Sequence, residues 1–202
     1  MNIDKQTFSL VKLTKPQATD IAKLHIEGIR TGFISSLGVK FVRILYEAIS
    51  EDKNSFGFTA IEDGEVIGFV AFSCNLSTLY KYVMLKKSWK FFFILVRKIF
   101  SLQIIKNIWS NIFYPNKMKK MSLPAAELLS IVVSPKERGR GIANRLVEAG
   151  FEECKKRNIN KAKVLVRPEN IAANKLYQNC GFKFFKTINS HGFVSNIYIV
   201  EI

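Results

Sequence analysis

Residues 127–143 read Glu-Leu-Leu-Ser-Ile-Val-Val-Ser-Pro-Lys-Glu-Arg-Gly-Arg-Gly-Ile-Ala, and this stretch decides the fold. A β-rich apolar run stops at Pro135, a short charged turn follows, and two glycines open an amphipathic helix. Gly139 and Gly141 carry no Cβ, so the turn can tighten and a ligand can approach the backbone closely. The first helical turn leaves N–H groups without intrahelical partners, and these point outward as donors. Donors, helix dipole and the cations Arg138 and Arg140 together make a site for a pyrophosphate. Taken alone, the pattern also suits a plain strand-to-helix connection, because glycine serves tight turns of any purpose.

Its companion lies downstream. Residues 161–166, Lys-Ala-Lys-Val-Leu-Val, read as a strand, and after Arg167 and Pro168 comes Glu-Asn-Ile-Ala-Ala-Asn-Lys-Leu-Tyr-Gln-Asn-Cys-Gly-Phe over 169–182. Asn170 stands where a helix N-cap belongs. Ala173, Leu176 and Tyr177 recur at helical spacing, and Gly181 stops the helix at its C′ position. Together the two blocks closely resemble the GNAT superfamily of acyl-CoA-dependent N-acetyltransferases. The family pattern Arg/Gln-x-x-Gly-x-Gly/Ala, which grips the pyrophosphate of acetyl-CoA, reads here Arg138-Gly139-Arg140-Gly141-Ile142-Ala143. The second block matches the family's Asn-x-x-Ala-x-x-Leu-Tyr ending in Gly-Phe. The match is strong over about a third of the chain and extends to most of the rest by layout.

The resemblance implies a single GNAT domain over residues 1–202. Its fold is a central mixed, twisted α/β sheet with helices on both faces and splayed fourth and fifth strands. It implies acetyl-CoA as co-substrate, with Arg138, Gly139, Arg140, Gly141, Ile142 and Ala143 at the pyrophosphate. Asn170 and Ala173 belong to the same cofactor site. Ile131, Val132 and Val133 would offer backbone groups to the pantetheine arm, as an added strand does at an open sheet edge. The oxyanion of the tetrahedral intermediate would meet a backbone N–H of the fourth strand.

The rest of the chain fits that layout. Thr7 to Leu13 alternates like a first strand, and Pro16 to Phe33 and Val39 to Ile49 show helical spacing. Strands at 57–61 and 66–73 are joined by Glu62-Asp63-Gly64, a hairpin with a Gly turn. Strand 126–133, helix 142–157, strand 161–166 and helix 171–180 follow, then a hairpin of 182–187 with 194–200. The departure is 76–124, inserted between the third and fourth strands and expected to be helical, since so long a structureless loop is uncommon. From Val66 to Ala126 there is no acid, and ten Lys and Arg lie between Leu76 and Met121. On a helical projection Lys86, Lys90 and Arg97 share one face, while Trp89, Phe92 and Phe100 cover the other. Ile104, Ile105, Ile108, Trp109 and Ile112 suggest a second helix. Such a segment suits a lid on the core, an acceptor site, or an interfacial helix on an anionic membrane.

Composition narrows the classes. At 202 residues the chain suits one domain, and no apolar run approaches the roughly 20 residues a spanning helix needs. There is no charged n-region followed by an apolar h-region, so a cytoplasmic protein, peripheral at a membrane through 76–124 at most, is expected. Cys74, Cys154 and Cys180 are few and widely spaced, which argues against a disulfide framework or a zinc site. With only His25 and His191, histidine-based metal or triad chemistry has little to build on, so no metal is expected. The net charge of +15 suits an anionic partner. A nucleotide fits better than nucleic acid, and a dimer is left open.

The reaction so implied is acetyl transfer to a primary amine by direct attack in a ternary complex. A lysine-like amine must first lose a proton at a cost of roughly 4–5 kcal/mol at neutral pH, and a sugar amine less. Glu127 is the candidate base. Its context resembles the position of the catalytic Glu in histone-modifying members, though the following loop is two residues shorter. A strand-end Glu paired with a lysine is the competing reading. Tyr177 is the candidate acid, its hydroxyl donating to the departing thiolate, unless it is simply a packed helix aromatic. The preferred acceptor is an amino sugar on a nucleotide carrier. The alternative is a macromolecule-directed acetyltransferase, docked to protein, membrane or RNA, or an acetyl-CoA-binding sensor.

Overall fold

The computed structural model describes residues 8–30, 33–86, 121–190 and 193–202. Seven strands form one sheet in the order β1-β2-β3-β4-β5-β7-β6. Their ranges are β1 Ser9–Lys12, β2 Ser55–Glu62, β3 Glu65–Ser73, β4 Ala126–Val133, β5 Lys161–Val166, β6 Lys183–Ser190 and β7 Phe193–Glu201. Neighbours are antiparallel except β4 and β5, which run parallel. That parallel pair needs a crossover, and the helix opened by the two glycines supplies it.

Six helices are described: α1 Ala18–Gly28, α2 Phe33–Ser36, α3 Val39–Glu51, α4 Leu76–Lys86, α5 Ile142–Lys156 and α6 Ile171–Asn179. Side chains alternate across a strand, and β3 divides accordingly between two cores. Val70 and Phe72 pack with Leu128, Ile142, Leu146, Val147 and Tyr177, so one face lies against α5 and α6. Phe69 and Ala71 pack with Ile21, Leu24, Val42, Tyr46 and Leu79, so the other lies against α1, α3 and α4. The mixed sheet with helices on both faces is the expected architecture.

One expectation is corrected in detail. The helix expected over Pro16–Phe33 is shorter, because a 3-10 turn at Lys15–Gln17 precedes α1 and the chain leaves helical geometry at Ile29 (φ −122°, ψ 67°). Gly28 ends α1 where the helix touches the sheet, and a Cβ there would clash with the Val132 side chain. The insertion begins as α4, which buries Leu76 and Leu79 in the second core. Apart from Lys86, the basic and aromatic faces read from the sequence, together with the helix expected over 104–112, lie outside the described residues, as does His191.

Candidate active site

Strand β4 stays on β3 as far as Val133, opposite Gly68. Its pairing with β5 is much shorter, running from Ala126–Ala162 only to Leu128–Val164, while β5 continues to Val166 on β7. The two strands therefore separate after Leu128. Register explains where. Phe72 faces Leu128 and Ala71 faces Ser130, which leaves Leu129 as an extra residue in β4. A bulge of this kind bends its strand and increases the local twist. Beyond Leu128, β4 runs on uncovered by β5 for a stretch of about 17 Å to Val133 at the usual strand rise. Ile131, Val132 and Val133 all lie in it.

The open end of this wedge leads to the glycine turn. After the 3-10 turn Pro135–Glu137, Gly139 (φ 81°) and Gly141 (φ 74°) take left-handed conformations. Nothing lies within 4 Å of where their Cβ atoms would be, so backbone conformation demands these glycines and the space before them is open. Gly141 occupies the N-cap position of α5 and no side chain caps the helix. The first-turn N–H groups at 142–144 thus remain donors for an anion. The Ile142 side chain is buried in the core, so only its backbone faces the turn.

The two arginines differ. Arg138 is exposed. Arg140 makes two contacts of 2.8 Å to the carboxylate of Glu62 and a further ion pair with Glu137. These carboxylates push its pKa up and compensate its charge locally. Arg140 braces the turn against the β2–β3 hairpin, while Arg138, like Lys136, has no ion pair among the described residues.

Asn170 caps α6 as expected, its Oδ1 accepting from the Ala173 N–H at 3.2 Å. Asn174, which sequence reasoning passed over, fastens the same helix. Its amide donates to the Arg167 and Asn170 carbonyls, and its Oδ1 accepts from the Tyr198 hydroxyl at 2.8 Å. Tyr177 is buried against Phe182 with rings edge to face, and burial raises its pKa, so the phenol stays protonated. Among the described residues no group hydrogen-bonds its hydroxyl.

Glu127 is buried one residue before the last β4–β5 pair, directly opposite Lys163. The Lys163 Nζ lies 3.3 Å from its carboxylate, and Lys163 is itself only 3% exposed. Lys163 also donates to the Pro124 carbonyl. The carboxylate adds to the burial that raises the Tyr80 pKa from α4.

A further buried group went unread in the sequence. His25 Nδ1 lies 2.7 Å from the Tyr46 hydroxyl, which lies 2.7 Å from the Ser130 hydroxyl. The chain joins α1, α3 and the β4 bulge. Burial lowers the His25 pKa to about 4, and its Nε2 is buried without a partner among the described residues. The available signals were a histidine beside Leu24 on an apolar stripe and a serine inside the apolar run 128–133.

Comparison with known proteins agrees with this geometry. The model of the Acetyltransferase (GNAT) family matches residues 26–182. PaiA N-acetyltransferase from Thermoplasma acidophilum, solved with coenzyme A, superposes with TM-score 0.63 at 15% identity over 98% of this chain and 100% of its own. A polyamine N-acetyltransferase from Drosophila melanogaster, which forms N-acetylagmatine, gives TM-score 0.67 at 11% identity over 96% and 100%. An N-acetyltransferase from Staphylococcus aureus gives 0.62 at 16% over 96% and 98%. At these identities the structures share the fold alone. No curated protein matches the chain in sequence. The family match covers most of the chain, including the β4 wedge, the glycine turn and Tyr177, and the protein therefore belongs to the GNAT family of acetyltransferases.

Proposed function

We propose that the protein transfers an acetyl group from acetyl-CoA to a primary amine by direct attack in a ternary complex. The observation that carries this reading is the continuity of the wedge with the uncapped N-terminus of α5 through two left-handed glycines. Pyrophosphate oxygens would accept from the N–H groups at 142–144, and Arg138 would add charge. The pantetheine arm would run along Ile131, Val132 and Val133, with Asn170 and Ala173 bordering it. That direction brings the thioester to the closed end near Leu128.

In this reading the amine nitrogen attacks the thioester carbon and the carbonyl electrons move to oxygen. Collapse of the tetrahedral intermediate breaks the C–S bond, and the Tyr177 hydroxyl gives its proton to the thiolate. Burial keeps the phenol protonated at neutral pH and also makes it a weaker acid than a free tyrosine, so the proton passes only as charge builds on the departing sulfur. Glu127 takes the proton that the amine loses, directly or through water. Lys163 competes for the same carboxylate, so a weakly basic amine, such as an amino sugar, suits the site better than a lysine-like one. A nucleotide-linked amino sugar is the preferred acceptor. Its anionic carrier matches the basic segment that the sequence places between β3 and β4.

The test is thiol release from acetyl-CoA with a panel of nucleotide amino sugars, polyamines and peptides. Turnover with amino sugars at neutral pH is the expected result. Turnover confined to peptides would replace the acceptor assignment, and none with any amine would remove the enzymatic reading.

A further inference from the structure

The His25–Tyr46–Ser130 chain is costly unless it does something, because buried polar groups outside a use are normally satisfied or absent. Two hydroxyls and an imidazole sit in an apolar core with Phe69, which stacks on His25. His25 is neutral near pH 7, since burial holds its pKa near 4. A neutral imidazole carries one N–H and one lone pair, and one of its nitrogens, Nε2, has no partner among the described residues.

Which nitrogen holds the proton sets the direction of the whole chain. A buried N–H without an acceptor is rarer than an underused acceptor. The favoured tautomer therefore leaves the lone pair on Nε2 and the proton on Nδ1. Nδ1–H then donates to the Tyr46 oxygen, and the Tyr46 O–H donates to the Ser130 oxygen. The Ser130 O–H is left as a donor, and among the described residues Tyr46 is its one hydrogen-bond partner.

Ser130 stands where such a donor would act. It follows the bulged residue Leu129 and lies two positions past Leu128, the last β4 residue paired with β5. An acyl-CoA arm entering at the glycine turn and lying along β4 would bring its thioester to this end. We propose that Ser130 is a catalytic residue whose hydroxyl donates to the reacting carbonyl oxygen, with Tyr46 and His25 as the positioning residues that aim it. The inference rests on the acetyl-CoA reading above. In the step, the amine–carbon bond forms while the carbonyl electron pair moves to oxygen, and the Ser130 O–H hydrogen-bonds that oxygen without giving up its proton. When the C–S bond breaks, the pair returns and the bond relaxes.

The experiment uses the whole protein and acetyl-CoA labelled with 13C at the acetyl carbonyl. The carbonyl stretch of the bound thioester is read by difference infrared spectroscopy, alongside turnover and the acetyl-CoA-induced rise in melting temperature. Ser130→Ala is expected to raise the stretching frequency and lower kcat by about 10²–10³-fold, as loss of one such donor does. The melting-temperature rise should persist. Tyr46→Phe keeps the ring and should shift frequency and kcat in the same direction. His25→Asn carries an amide N–H where Nδ1–H stands and should retain most of the rate. His25→Gln, which reaches the Nε2 position, should not, although it fills the site better.

An unchanged frequency and kcat in Ser130→Ala overturns the inference and leaves the acetyl-CoA reading intact. Equal behaviour of the Asn and Gln variants overturns the tautomer and the aiming role. Loss of acetyl-CoA binding in step with kcat makes Ser130 a packing residue and also overturns it. Failure of acetyl-CoA to stabilise the wild-type protein removes the function itself, and this inference with it.

Discussion

Arg140 holds Glu62 by both carboxylate oxygens, 2.8 Å from each, across 78 positions of sequence. A cation of the glycine turn is thereby engaged by a carboxylate of the β2–β3 hairpin. The pair fixes the turn that presents the open N–H groups of α5.

Glu62→Gln should therefore act on cofactor affinity rather than on chemistry. An exposed pair is weak, so the KM for acetyl-CoA should rise by no more than about fivefold, with kcat unchanged. Arg138→Ala should weaken binding more, because that cation has no ion-pair partner among the described residues. Steady-state kinetics at two salt concentrations would check both. Equal effects of the two variants would return Arg140 to the phosphate.

Gly141→Asp should abolish stabilisation by acetyl-CoA. It forces a left-handed φ of 74° on a residue with a Cβ and adds negative charge where phosphate belongs. In the wild type, ligand at 100 times its dissociation constant should contribute about 2.7 kcal/mol, read as a melting-temperature rise. A rise that survives in the variant would place the phosphates elsewhere.

Tyr177→Phe should lower turnover by about 10²–10⁴-fold while leaving acetyl-CoA binding nearly unchanged. Because burial raises the phenol pKa, the alkaline limb of the pH–rate profile should not belong to this residue near neutral pH. Wild-type turnover in the Phe variant would make the ring a packing group only.

Glu127 and Lys163 should betray their coupling. Lys163→Met removes the cation directly opposite a buried carboxylate and should cost up to about 3–5 kcal/mol of stability, measured by urea unfolding. Glu127→Gln should slow transfer, with a loss that shrinks at high pH where the amine is already deprotonated. A loss independent of pH would make the pair structural.

His25 predicts a pH-dependent stability. Its folded pKa of about 4 lies below the ordinary 6.5, so the unfolded chain binds more protons between those values. Its contribution is fully present above pH 6.5 and is lost as pH falls toward 4, by about 3 kcal/mol in all. The difference between wild type and His25→Asn, followed by urea unfolding from pH 7.5 to 4, isolates it. A constant difference across that range would mean that the imidazole is not held neutral.

The sequence by itself determined what short-range physics controls. The order of strands and helices followed from hydrophobic period, the Asn170 cap from its side chain, and the turn at 139–141 from glycine conformation. These depend on residues a few positions apart, and the structure reproduces them to within a turn at most ends. The separation of β4 from β5 was expected through family resemblance, while its cause, the extra residue Leu129 opposite β3, was visible only in the register. The Glu62 partner of Arg140 and the partners of Glu127 and His25 were likewise decided by tertiary structure. Each lies across a strand pair or on another element, and a sheet register brings such groups together only after distant segments have closed. Local propensity carries no record of that closure. It shows which side chains can do chemistry, and the fold decides which of them are already engaged.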